Sequence, residues 1–190
     1  NSMPQSVVAQ LKSEFRMELN GLMQKPDKNR RDAIYNLKKR YFGKYDQLLD
    51  HSDYGPHWLQ KEDIASIVKE SLHHRDENTF HLLAYTIMPN HVHLLFDIRN
   101  IAPHASGNRP IYKATAIMER LKWYTAVQCN RVLHFSGPFW QHESYDHVVR
   151  REGELTKIIH YVLDNPVKTR LADDWQKWPW SYVKKDLYGL

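Results

Sequence analysis

Pro89-Asn90-His91-Val92-His93-Leu94-Leu95-Phe96-Asp97-Ile98 is the stretch on which the fold turns. In a strand, residues two apart point to the same face. His91, His93, Leu95 and Asp97 therefore share one face, and Val92, Leu94, Phe96 and Ile98 share the other. Leu82 to Met88 reads as a partner strand, with Met88-Pro89-Asn90 as the tight connection of a β-hairpin. Two imidazoles side by side on a rigid strand supply half of a metal site. The same spacing is also found in packed or surface histidines, so the pair alone leaves both readings open.

Helices are expected around this hairpin. Upstream, Pro4 precedes Val7, Val8, Leu11, Phe15, Leu19 and Leu22 at helical spacing, and Lys25-Pro26-Asp27 breaks that helix. A second helix runs through Ile34, Leu37 and Tyr41 towards Leu48, with Arg30, Arg31, Lys38, Lys39 and Arg40 as a solvated or DNA-facing surface. Asp53-Tyr54-Gly55-Pro56 is a turn, and a third helix covers about Glu62 to His74. Downstream, Ala102 to Pro110 reads as a loop, and a long helix follows from about Tyr112 to Val132. A short strand is expected near Tyr145 to Val149. The final helix, from about Glu152 to Leu163, carries Leu155, Ile158, Ile159, Val162 and Leu163 as one apolar stripe. Tyr161 falls at the border of that stripe. Asn165 is one turn further on, and Pro166 is expected to end the helix there.

Composition bounds the function classes. The 190 residues suffice for a sizeable core, and 42% of them are apolar. No apolar stretch approaches the roughly 20 residues of a membrane span, and the start carries no signal-peptide pattern. A lone cysteine, Cys129, cannot form an internal disulfide and reads as a packed helix residue. Lys and Arg number 27 against 22 Asp and Glu, a net charge of +5 that favours polyanions. Six tryptophans and eleven tyrosines among these cations suit single-stranded nucleic acid, and suit a protein core equally well. Trp140, Trp178 and Trp180 are read as packing residues. The chain has no Gly-rich phosphate loop.

Several segments together carry a family resemblance. The Pro89-Asn90-His91-Val92-His93 stretch resembles the His-hydrophobic-His motif of the HUH endonuclease superfamily. Gly137-Pro138-Phe139-Trp140-Gln141, Tyr145-Asp146-His147-Val148-Val149-Arg150, Tyr161-Val162-Leu163-Asp164-Asn165-Pro166-Val167-Lys168 and Trp178-Pro179-Trp180-Ser181 follow in order. They resemble one branch, the REP-associated tyrosine transposases, single-tyrosine relatives of the insertion-sequence transposases. The resemblance covers about Pro56 to Tyr182.

The resemblance implies an α+β, ferredoxin-like fold with an antiparallel sheet and helices on one face. It implies one domain over 1–190: a helical insertion at 1–55, a catalytic core at 56–182 and a tail at 183–190. The insertion is larger than a minimal relative needs and is read as a clamp for a DNA hairpin. Relatives usually begin with a strand of aromatic and β-branched residues. This chain opens at Ser2-Met3-Pro4-Gln5, which resembles the segment just after it. The usual first strand is thus expected to be missing, leaving an edge exposed or filled by another chain.

The family nucleophile falls on Tyr161 and the family metal ligands on His91, His93 and Asn165, with Mg²⁺ or Mn²⁺ as the metal. Arg150, Arg151, Lys168 and Arg170 flank this set as candidate DNA contacts. The implied activity is metal-dependent cleavage and rejoining of single-stranded or hairpin DNA through a 5′-phosphotyrosine, in a prokaryotic cytoplasm at the nucleoid. Monomer and homodimer both remain open. Tyr145, among His142, Glu143, Asp146 and His147, is the rival nucleophile. Two other classes stay in view: a domesticated DNA-hairpin-binding protein that no longer cuts, and a zinc hydrolase that uses water and ignores Tyr161.

Overall fold

β1 (His81–Ile87) is the strand around which the sheet is built. In the computed structural model it pairs antiparallel on one side with β2 (Val92–Asp97) and on the other with β3 (Ser181–Val183), giving the order β2-β1-β3. The structure describes residues 3–24, 29–50, 52, 55–99, 113–141, 144, 148–149 and 153–188. Met88 N–H donates to His91 O at 2.9 Å and closes the hairpin. A bulge between Leu82 and Ala84 shifts the register, so that Leu82 faces Phe96 while Ala84 faces Leu95.

The α+β class and the antiparallel sheet are as expected. The helices, however, cover both faces. Leu82, Tyr85 and Ile87 pack with Val92, Leu94 and Phe96 against Ile64, Val68 and Leu72 of α3 (Glu62–Arg75) and Leu121 and Cys129 of α4 (Lys113–Val132). Tyr85 is 1% exposed, and its hydroxyl is hydrogen-bonded with His73 Nε2 at 3.1 Å. On the other face lie Ala84, Thr86, His93 and Leu95, and α5 (Glu154–Leu163) packs there, against all three strands. The reason lies in β1. Ala84 and Thr86 are as buried as Leu82 and Ile87, so a strand with no polar side needs cover twice.

Two further differences come from the end of the chain. Pro166 does not stop the helical path. α5 ends at Leu163, and a short α6 (Asn165–Lys168) follows, with Pro166 in its first turn. A first-turn residue needs no helical N–H, so proline fits there. β3 carries no periodic signal in the sequence because it is three residues long. Thr86 and Ser181 hydroxyls hydrogen-bond across it at 3.0 Å. The strand expected near Tyr145 to Val149 falls mostly outside the described residues. Val148, 57% exposed, has no strand partner among them.

Contacts divide the chain into two compact units, Asn1–Pro56 with Gln141–Arg150, and His57–Trp140 with Arg151–Leu190. The first contains α1 (Gln5–Gln24) and α2 (Arg30–Asp50), which pack antiparallel around Val8, Leu11, Leu37, Tyr41 and Tyr45. Tyr41 donates to Glu18 Oε1 at 2.7 Å, and Arg40 and Lys44 pair with Glu18 and Glu14. Those two cations are thus used within the helical pair. The second unit contains the sheet, α3 to α6 and the candidate site.

Candidate active site

β2 presents His91 and His93 to the face that α5 covers, and both are nearly buried, 8% and 7% exposed. Their Nε2 atoms lie 2.9 Å apart. Burial pushes the His91 pKa down to about 4. His93 is held well below the ordinary imidazole range, first by burial, then by His91 and by the charge of Lys168. Both rings are therefore neutral at pH 7, the form that ligates metals. Asn90 Oδ1 lies 2.7 Å from His91 Nδ1. A carbonyl oxygen accepts only, so Nδ1 carries the proton and neutral His91 keeps a lone pair on Nε2. Asn90 thus orients His91 in the way outer-shell partners orient metal-bound histidines.

α5 brings Tyr161 to this pair. Ile159, Val162 and Leu163 are buried, as the stripe predicts. Tyr161, on the border, is half-buried. Its ring meets the His93 ring edge-on, with centroids 6.0 Å apart and planes at 87°. Ala84, Thr86 and Ser181 are the small side chains on the sheet face that α5 covers.

Asn165 is fully buried at the start of α6. Its Nδ2 donates to Tyr161 O at 2.7 Å and to Val162 O at 3.4 Å. Those two acceptors fix the amide orientation, and Oδ1 is left buried with no hydrogen-bond partner. An unpaired buried carbonyl oxygen costs about 1–3 kcal/mol. A cation would offset that cost. Two neutral imidazoles and an amide oxygen are thus a chemically fitting donor set for a divalent metal.

The remaining expected residues divide. Lys168 Nζ stands over the Tyr161 ring, 4.3 Å from its centroid. Arg170 is exposed just past α6, with φ +60°. Arg150 and Arg151 lie outside the described residues, as do Tyr145, His142, Glu143, Asp146 and His147 of the rival cluster. Trp140 and Trp180 pack on the core, and Trp178 Nε1 donates to Ile87 O at 3.0 Å. Cys129 is buried, and burial raises its thiol pKa to about 12. No described helix is long and apolar enough to cross a membrane.

Sequence comparison finds a distant relative. A Haemophilus influenzae protein provisionally named a REP-associated tyrosine transposase is 28% identical over 112 residues. This chain is similar to the REP-associated tyrosine transposases. The alignment covers 57% of this chain and 61% of the Haemophilus protein's length. No family model matches the chain, and no solved structure does. The family-level resemblance is thereby supported, by a distant relative.

Proposed function

We propose that the chain is a transposase-like, metal-dependent endonuclease and strand transferase acting on single-stranded DNA that contains a hairpin repeat. The observation that carries this reading is the meeting of Tyr161 with the neutral His91 and His93 pair on one face of the sheet. The name of the Haemophilus relative supports it. His91, His93 and Asn165 would hold a divalent cation, Mg²⁺ or Mn²⁺, which would supply positive charge to offset that of the scissile phosphate. Tyr161 is the nucleophile. Its phenolic oxygen bonds to phosphorus, the bond to the 3′ oxygen breaks, and that oxygen leaves as a free 3′-hydroxyl carrying the proton. The 5′ phosphate stays on Tyr161 as an ester. Reversal rejoins strands without ATP, because the ester keeps the bond energy. Asn90 keeps His91 in the right tautomer. Arg150, Arg151 and Arg170 are assigned to phosphate contacts, and the helical pair of the first unit to gripping the hairpin stem.

The test uses hairpin-containing single-stranded DNA labelled on the 3′ side of the cut, with Mg²⁺ or Mn²⁺, read on a denaturing gel. The parent should yield a labelled protein adduct and Tyr161→Phe none, with unchanged circular dichroism. Equal adduct from Tyr161→Phe refutes the nucleophile assignment. Hairpin binding without any adduct across the metal series would instead favour a non-cleaving DNA-binding protein.

A further inference from the structure

We infer that Lys168 is a positioning residue for Tyr161: its ammonium, standing over the ring, holds the phenol in the orientation from which its oxygen attacks. The inference rests on the nuclease reading above. It starts from the junction of α5 and α6. Asp164 N–H donates to His160 O at 2.8 Å, and Lys168 N–H donates to Asp164 O at 2.9 Å. Asp164 keeps right-handed helical dihedrals, with φ −76° and ψ −7°. The path therefore stays helical through Pro166. Residue 168 then falls about two turns after 161 and on nearly the same side. Helical side chains lean towards the N-terminus, so the Lys168 stem reaches back over Tyr161.

The result is a ring held from two directions. Lys168 Nζ is 4.3 Å from the centroid, on the face that carries the ring's negative quadrupole. The His93 ring makes a T-shaped contact with the same ring. Rotating the ring would turn its positive edge to the ammonium and lose that attraction. In-line displacement at phosphorus depends on where the attacking oxygen points, so a ring held in one orientation raises the share of productive encounters. Among the described residues no carboxylate pairs with Lys168, and its charge acts on the ring and on His93. The competing role is a direct phosphate contact, which any exposed lysine near a DNA site could make.

Two readouts separate these roles. In metal-free protein with ring-labelled tyrosine, the Tyr161 resonances (assigned with Tyr161→Phe) should shift in Lys168→Met and return in Lys168→Arg. With Mn²⁺ and labelled hairpin DNA in single turnover, Lys168→Met should form adduct about 5- to 30-fold more slowly. Hairpin affinity and its salt slope should be unchanged, and Lys168→Arg should recover most of the rate. Tyr161 resonances indifferent to Lys168→Met would overturn the inference. So would weaker hairpin binding with a salt slope reduced by about one and an unchanged rate at saturating DNA, the signature of a phosphate contact. A parent that makes no adduct in Mg²⁺ or Mn²⁺ would sink the nuclease reading and the inference with it, even if the ring resonances respond.

Discussion

Acidifying the metal-free protein from pH 7.5 to pH 5 should destabilise it through His91. Burial depresses the folded-state pKa of His91 from an ordinary 6.5 to about 4. Between those values the unfolded chain binds a proton that the folded chain refuses. Stability from this group is therefore complete above about pH 6.5 and is lost as pH falls towards 4. A difference of about 2.5 units at 1.36 kcal/mol each gives roughly 3 kcal/mol in the acid limit, and about 2 kcal/mol by pH 5. His93 and the partly buried His73 act in the same direction, since both are depressed. The perturbed carboxylates Glu18, Glu77 and Asp97 are all lowered, so they titrate below this window. The assay is urea unfolding followed by tryptophan fluorescence at fixed ionic strength, in parent and His91→Gln. The variant should lose about 2 kcal/mol less than the parent between the two pH values. An identical loss in both proteins, or a parent curve flat across the window, would refute the claim that His91 is buried and neutral.

Two further substitutions probe the α6 segment. Arg170 adopts φ +60°, a conformation that favours glycine, so Arg170→Gly should raise stability by about 0.5–1 kcal/mol in thermal unfolding. Asn165→Ala removes two donated hydrogen bonds and one unpaired buried oxygen together, so metal-free stability should move by no more than about 2 kcal/mol. The parent should gain about 2.7 kcal/mol from Mn²⁺ at a hundred times its Kd, and Asn165→Ala should show that gain only at much higher Mn²⁺.

Much of this geometry is written in local pattern. The alternation from His91 to Ile98 fixes the hairpin and assigns the two histidines to one face, because strand period is two and needs no tertiary information. The apolar stripe of α5 fixes which side of the helix meets the sheet, and so puts Tyr161 at its border. The second covered face could have been read from Leu82-Leu83-Ala84-Tyr85-Thr86-Ile87-Met88, a run with too few polar residues for a half-solvated strand. Other features had no local signal. A three-residue strand such as Ser181–Val183 shows no period. Whether Pro166 ends a helix or opens the next turn depends on where the break falls, which the chain sets at Asp164. Lys168 reads as one cation among several, and only the fold of α5 and α6 brings it over a ring seven residues earlier. Asn90 looks like a turn residue until its oxygen is seen against His91 Nδ1.

Mass-spectrometric peptide mapping of the covalent DNA adduct tests the central claim most directly. After nuclease trimming and trypsin digestion, the nucleotide mass should ride on the peptide Ile158–Lys168, with fragmentation placing it on Tyr161. A nucleotide found on the peptide bearing Tyr145, or on any residue other than Tyr161, would contradict the account.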